Sequence, residues 1–461
     1  MHLTTATVLC ALCAFVVDAR AEVIYQLRYT GGPKVQVEIT LPRGAEQFIM
    51  PRAVPMGYGE QPYDRFVENL RGWAPNGEAA RVERQEGPRW KLTPGAERIR
   101  YEVDVARMEQ EIFDASDTSR IRPRYAGFLG YSVFGYAEGW QEEPVRLVVQ
   151  APPDWPLLST LNPAGGELNA ANFYALADSQ VLMGPAFQVR FIEGLAGPAS
   201  LHLAVYAEGD VDMGRIARLV AQAYSSVVRY FGSTPFPHYT VHMELLAPVS
   251  ERHKYGFSME HLDSSTYYLE RGAVADEART RYNFAHHIAH AWIPKRAYGE
   301  GYYPFSWELE PLFDTIWLSE GFGQYAALEA LVAGMPPEQG AAYRERLLQA
   351  RFRVNLTEAP PFLRRMSLVE LSRVASTRYS SDFRTGRLVF SRGALMAAEM
   401  DDHIRVQSKG QKSLRDALRA LMSWSATNKR GFRIDELPAI FRQATGVDVK
   451  EIMERWLRPL E

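Results

Sequence analysis

The sequence predicts a multidomain α+β protein with a β-sandwich in its first half and helices in its second, and three observations carry that reading. Up to about Glu208 apolar residues alternate with a period of two. From Met213 onward they recur at helical spacing. The chain's 461 residues are also too many for one hydrophobic core. With 46% apolar and 23% charged residues the composition is that of a globular protein. A net charge of −3 provides no overall basic field to recruit nucleic acid or an acidic membrane surface.

The expected divisions are a leader over 1–21, a β-sandwich domain over 22–208, a domain carrying most of the chemistry over 209–336, and a helical domain over 337–461. The leader is read from the apolar run Val8–Val17 followed by Ala19-Arg20-Ala21, which offers small residues where a signal peptidase cuts, before Glu22. The run is short for a membrane span, and no later stretch approaches about 20 apolar residues, so the expected product is secreted or periplasmic without a membrane span. Both cysteines, Cys10 and Cys13, fall inside the leader, so thiol nucleophiles and thiolate metal sites are excluded from the mature chain.

The β half is read from alternating segments such as Val35–Leu41, Ile99–Val105 and Phe187–Phe191, separated by Pro/Gly turns. A helix is predicted over Met213–Phe231, then a strand over Tyr239–Leu246. Helices are also predicted over Glu277–Ile293, stopped by Pro294, over Leu312–Val332, stopped by Gly334 and Pro336, and over Ser413–Trp424.

Three of ten histidines fall within five positions: His286, His287 and His290. His286 and His290, four apart, share one helix face and are able to grip one metal ion; a lone histidine pair is more often packing or capping. Glu320, in Trp317-Leu318-Ser319-Glu320-Gly321-Phe322, places a carboxylate in an apolar helix, where it is paired with an arginine or bound to a metal. Two histidines and a glutamate with an open fourth position form the ligand set of a catalytic zinc.

The segment from His286 to Arg296 followed by Trp317–Phe322 resembles the glycyl-aminopeptidase family of gluzincin metallopeptidases. That family reads H-E-x-x-H-x-W-x-x-K-R and later W-x-x-E-G-F. The long interval from His290 to Glu320 suits it better than the thermolysin or aminopeptidase N type. Gly256–His261 resembles the family's G-x-L-E-H edge strand, Phe390–Leu395 its Y-x-K-G helix start, and Asp401, Ile404 and Arg405 its D-x-x-I-R segment. Met50–Phe66 and Val145–Trp155 are similar to its β-domain. The resemblance implies a thermolysin-like catalytic-type domain over 209–336. It implies one Zn²⁺ held by His286, His290 and Glu320, and a substrate edge of Met259, Glu260 and His261. Glu260 would take a peptide amino terminus, and the edge backbone would pair with the peptide. For Glu260 alone, a solvated strand residue is the plain alternative.

Three departures modify what the resemblance implies. His287 stands where the family has its general-base glutamate, and a lost base costs roughly 10²–10⁴-fold. Phe390 stands where the family has the tyrosine that stabilises the oxyanion; loss of such a donor costs about 10²–10³-fold. Thr385, Tyr379 and Tyr325 are the hydroxyls left to consider as substitutes. Family members commonly carry a PDZ-type domain after the helices, and none is expected before Glu461. His287 with His290 is a second metal-binding register, and a metal-free polar cluster a third arrangement. The sequence thus leads to three expectations. One is a zinc-metallopeptidase homologue with lost or strongly reduced hydrolysis that binds peptide amino termini or a protein partner in the old cleft. The second is an active aminopeptidase for small amino-terminal residues with a non-glutamate base. The third is a purely structural metal protein.

Overall fold

The computed structural model describes residues 22–460 apart from 56–57, 113–116, 194 and 252–254. The expected leader, with both cysteines, lies outside the described residues.

The N-terminal region is a sheet domain. Strand Lys34–Ile49 pairs with Val23–Arg28 on one side and Arg89–Asp104 on the other, near the middle of an eight-stranded sheet. Its Val35, Val37, Ile39 and Leu41 are buried while the residues between them are partly exposed. That is what a period-two pattern produces when one face of a sheet covers a core. A four-stranded sheet that includes Tyr125–Leu129 and Gln180–Met183 contributes to the same core, where Tyr29 meets Phe128 edge to face at 5.8 Å.

Two strands leave the N-terminal unit expected over 22–208. Phe187–Ile192 pairs with Ser200–Ala207, and the latter runs parallel to His238–Leu246 in a separate five-stranded sheet. Alternation identifies a strand but not its partner, so the sequence places these two with their neighbours in the chain rather than with their neighbours in the sheet. Helix Met213–Phe231 is the crossover between the parallel strands, capped by the Asp212 side chain at its start and by Gly232 at φ 78° at its end. Strand Ser264–Glu270 follows in parallel, and Gly256–Glu260 closes one edge antiparallel to it.

Against this sheet lies helix Glu277–Ala289, and the helical run that begins at Trp317 packs on that helix. The first ends four residues before the expected Ile293. Pro294 has no N–H and disfavours helical geometry at the preceding residue, so the chain tightens after His290 into the bonds Ala291 N–H to Ile288 O and Trp292 N–H to Ala289 O. The second starts later than the expected Leu312, because Phe313 N–H is bonded to Ser376 Oγ and Asp314 is paired with Arg373. It opens as a π-helix over Trp317–Phe322 and continues as the α-helix Gly323–Val332.

The C-terminal region is helical, with Leu368–Arg378, Phe383–Gln407 and Leu414–Asn428 its longer members. Among the described residues no helix is long and apolar enough to cross a membrane.

Candidate metal centre

Helix Glu277–Ala289 begins at Asp276, whose side chain accepts from Arg279 N–H, and Glu277 lies in its positive first turn. One turn past the last helical residues, Trp292 stacks on Phe231 at 4.8 Å and meets Phe236, fixing the helix end to the crossover helix. Lys295 and Arg296 reach the other way. Lys295 pairs with Asp178, which also bonds His261 and Leu262 N–H, and Arg296 binds Asp263 and the Leu262 carbonyl. The Lys-Arg pair of the motif thus ties the histidine helix to the end of strand Gly256–Glu260.

Glu320 is brought up by glycines. The π-helix crosses helix Phe383–Gln407 so closely that a Cβ on Gly393 would stand 1.9 Å from the Trp317 carbonyl oxygen, and one on Gly321 would stand 2.4 Å from Gly393 Cα. A Cβ on Gly323 would lie 2.9 Å from His290 Cε1. Backbone meets backbone here, and the imidazoles occupy the room so left.

Among the described residues, His286, His290 and Glu320 form the one group of three metal-ligand side chains, all buried. His286 Nε2 is 3.1 Å from His290 Nε2 and 3.5 Å from Glu320 Oε2, and His290 Nε2 is 3.7 Å from that oxygen. These separations bracket the roughly 3.3 Å edge of a tetrahedron with bonds of about 2.0–2.2 Å. His290 Nδ1 faces the Ile293 carbonyl at 2.8 Å and donates to it, which leaves the Nε2 lone pair directed inward. Burial holds His290 at about 4 and His286 well below its ordinary range, the latter helped by the neighbouring histidines and Arg351. Both rings are therefore neutral near pH 7. Two nitrogen lone pairs and a carboxyl oxygen converge, and a cation satisfies them together. The residues fit a zinc ion. Gln324, oriented by the Tyr282 hydroxyl on its Oε1, offers its amide N–H to His286 Nε2 at 3.0 Å. That lone pair cannot serve the amide and a metal at once.

His287 is turned elsewhere. Its Nδ1 is 2.9 Å from the Asn283 carbonyl, one turn back, and donates to it; its Nε2 accepts from the Ser258 hydroxyl at 3.0 Å. Its ring lies 4.9 Å from His286 and 6.1 Å from His290. Burial lowers its pKa, against the opposing charge of Glu260.

Glu260 ends the edge strand, 4% exposed, with Oε1 unbonded. Burial raises its pKa, opposed by His287 and Lys295. Glu320 is likewise held well above the carboxylate range by burial and then by Glu260.

Two members of the expected substrate edge face away from it. His261 is fully buried, with Asp178 and Thr266 on its two ring nitrogens, and Met259 is buried with the Tyr131 hydroxyl on its sulfur.

Phe390 lies between Phe352 and Phe383 with the Arg351 guanidinium 5.6 Å from its ring. Of the hydroxyls considered as substitutes, Tyr325 donates to Asp401, and Thr385 donates to the Asp382 carbonyl. Tyr379 reaches the site: its hydroxyl is 3.4 Å from Glu320 Oε2, and its ring fills the space beside Gly386, one turn before Phe390. Spacing could not find Ser258, Gln324, Tyr379 or Asp178, because each arrives from a different element.

Residues 30–185 match the Peptidase M61 N-terminal domain family. No curated protein matches the chain. Among solved structures, an aminopeptidase N family protein from Idiomarina loihiensis is similar at TM-score 0.81 and 19% identity, covering 95% of this chain and 76% of that one. An M1 zinc metallopeptidase from Deinococcus radiodurans is similar at TM-score 0.54 and 16% identity, covering 95% and 93%. A point mutant of the latter bound to a Tyr-Ser-Ala substrate gives 0.54 and 16%, covering 96% and 94%. At these identities the likeness is one of fold: the described chain shares the architecture of these metallopeptidases.

Proposed function

We propose that this protein is a secreted zinc-metallopeptidase homologue that has lost most or all hydrolysis and holds the amino terminus of a peptide or protein in the former active-site cleft. The observation that carries the reading is the engagement of His287. Both of its ring nitrogens are occupied, by the Asn283 carbonyl and the Ser258 hydroxyl, and neither is directed to the space between His286, His290 and Glu320.

His286, His290 and Glu320 would hold the zinc. When bound, it supplies a polarised carbonyl and a water of lowered pKa. The rest falls to the chain's own residues. Glu260 Oε1, buried and unbonded, accepts from the ligand's ammonium group. The free edge of strand Gly256–Glu260 offers main-chain groups to an extended peptide. His287 accepts from Ser258 and so holds no lone pair ready to take a proton from water. Phe390 offers no hydroxyl to a carbonyl oxygen. Binding is retained while proton transfer is removed.

The Tyr379 hydroxyl beside Glu320 favours the second reading, an active aminopeptidase with a displaced donor. Zinc per chain, together with turnover of alanyl- and glycyl-anilides, separates the two. The proposal expects about one zinc, no turnover, and binding of a peptide that an N-acetyl group abolishes. Turnover that disappears in His287→Ala overturns it.

A further inference from the structure

Arg351, on the π-helical segment Leu348–Arg353, reaches toward the histidine helix and helix Phe383–Gln407. Its guanidinium carbon lies within cation–π reach of three ring centroids: Tyr282 at 5.0 Å, Phe390 at 5.6 Å and Phe352 at 5.7 Å. Tyr282 lies one turn before His286 on the histidine helix, and Phe390 is on helix Phe383–Gln407, so Arg351 spans the two walls that bear the metal ligands and the altered tyrosine position. Its charge is felt at both His286 and Tyr379. The side chain is half-buried, yet among the described residues no carboxylate, carbonyl or hydroxyl accepts from it. Rings around a guanidinium make no claim on its N–H groups, which stay available as a fork for a planar anion. A tyrosine at 390 would place a hydroxyl within this cation's surroundings; phenylalanine leaves only the stacking face.

We propose that Arg351 is a carboxylate-binding residue of the cleft, so that the ligand is a short peptide carrying an amine at one end and a carboxylate further along. The carboxylate comes from the peptide's own carboxy terminus or from an acidic side chain. The proposal rests on the reading of the cleft as a peptide-binding site, with Glu260 as the amine acceptor.

Calorimetric titration of the zinc-loaded protein with four probes tests it: Ala-Ala-Ala, its carboxy-terminal amide, the amide of Ala-Asp-Ala, and N-acetyl-Ala-Ala-Ala. The free acid is expected to bind about ten- to a hundredfold more tightly than its amide, the range of a charge-assisted hydrogen bond. That advantage vanishes in Arg351→Met and returns in part in Arg351→Lys. Recovery of affinity by the Ala-Asp-Ala amide assigns the carboxylate to a side chain; no recovery assigns it to the terminus. The acetylated probe examines the amine site separately, so its binding as well as the free peptide overturns the role of Glu260 and leaves that of Arg351 standing. Equal binding of acid and both amides, an Arg351→Met variant with unchanged discrimination, or no binding of any probe overturns the proposal. Among the described residues the Arg351 side chain makes no hydrogen bond, and the melting temperature of the variant verifies that it is folded.

Discussion

The crossing at Gly393 ties the fold to the metal centre. In Gly393→Ala the new methyl would lie 1.9 Å from the Trp317 carbonyl oxygen, 2.9 Å from its carbon and 3.0 Å from Gly321 Cα. All three are backbone atoms and none can rotate aside. The helix and the π-helix must part by about 1 Å to relieve the contact, a strain of the kind that costs roughly 1–3 kcal/mol. Glu320 lies three residues beyond Trp317 on the displaced segment, whereas metal ligation tolerates about 0.2 Å. The expected outcome is a folded protein, destabilised by that amount, whose zinc affinity in a chelator competition falls by at least tenfold. Gly334→Ala is the control, since its methyl meets nothing closer than Leu331 O at 3.6 Å. A Gly393→Ala protein with lowered melting temperature but unchanged zinc affinity would refute the idea that this crossing positions Glu320.

Three further outcomes are expected. Tyr379→Phe removes the hydroxyl beside Glu320 and lowers zinc affinity about tenfold or more, as loss of a partner to a metal ligand does; unchanged affinity places that hydroxyl outside the metal's surroundings. Asp178→Asn leaves Lys295 without its buried counter-charge and costs about 3–5 kcal/mol in denaturant unfolding, with weaker peptide binding as the strand bearing Glu260 loosens; a loss under 1 kcal/mol contradicts this. Acid destabilises the metal-free protein in two stages. His290 stays neutral in the fold down to about 4, whereas an ordinary histidine gains its proton near 6.5. Its contribution, full above pH 6.5, is lost between 6.5 and 4 and amounts to about 3 kcal/mol. Burial alone would raise Glu244, but Arg120 first and then His242 and Tyr125 hold it at about 2, against 4.5 when unperturbed. Its contribution of about 3 kcal/mol is present above 4.5 and lost between 4.5 and 2. In His290→Gln the upper stage is expected to shrink, the buried His286 and His287 still contributing to it, while the lower stage is kept; an unchanged upper stage, or loss of the lower, contradicts the assignment.

The three candidate ligands were legible because helical spacing and a buried carboxylate are local signals, and the structure brings His286, His290 and Glu320 within 3.7 Å of one another. The odd residue at 287 was equally visible. Its partner was not: Ser258 is twenty-nine positions away on the edge strand, and only the packing of helix on sheet creates the bond between them. Likewise the sequence offered Tyr325 and Tyr379 on equal terms, and the Asp401 carboxylate decides between them by holding the former. Phe187–Phe191 was read as a strand of the first unit, and its pairing with Ser200–Ala207 in the five-stranded sheet was not legible, since hydrogen-bond partners are set by tertiary structure. Motif residues that read as substrate contacts, Met259 and His261, are buried with Tyr131 and with Asp178 and Thr266 as partners, contacts that only the tertiary structure creates.

The most direct test of lost proton chemistry in a retained metal site is alanyl-anilide turnover by zinc-loaded wild type beside the double variant His287→Glu, Phe390→Tyr. Restoring the base and the donor is expected to raise the rate by at least about 10²-fold, the two gains not simply multiplying. A wild type that turns over substrate and a double variant that is slower or equal would contradict the account.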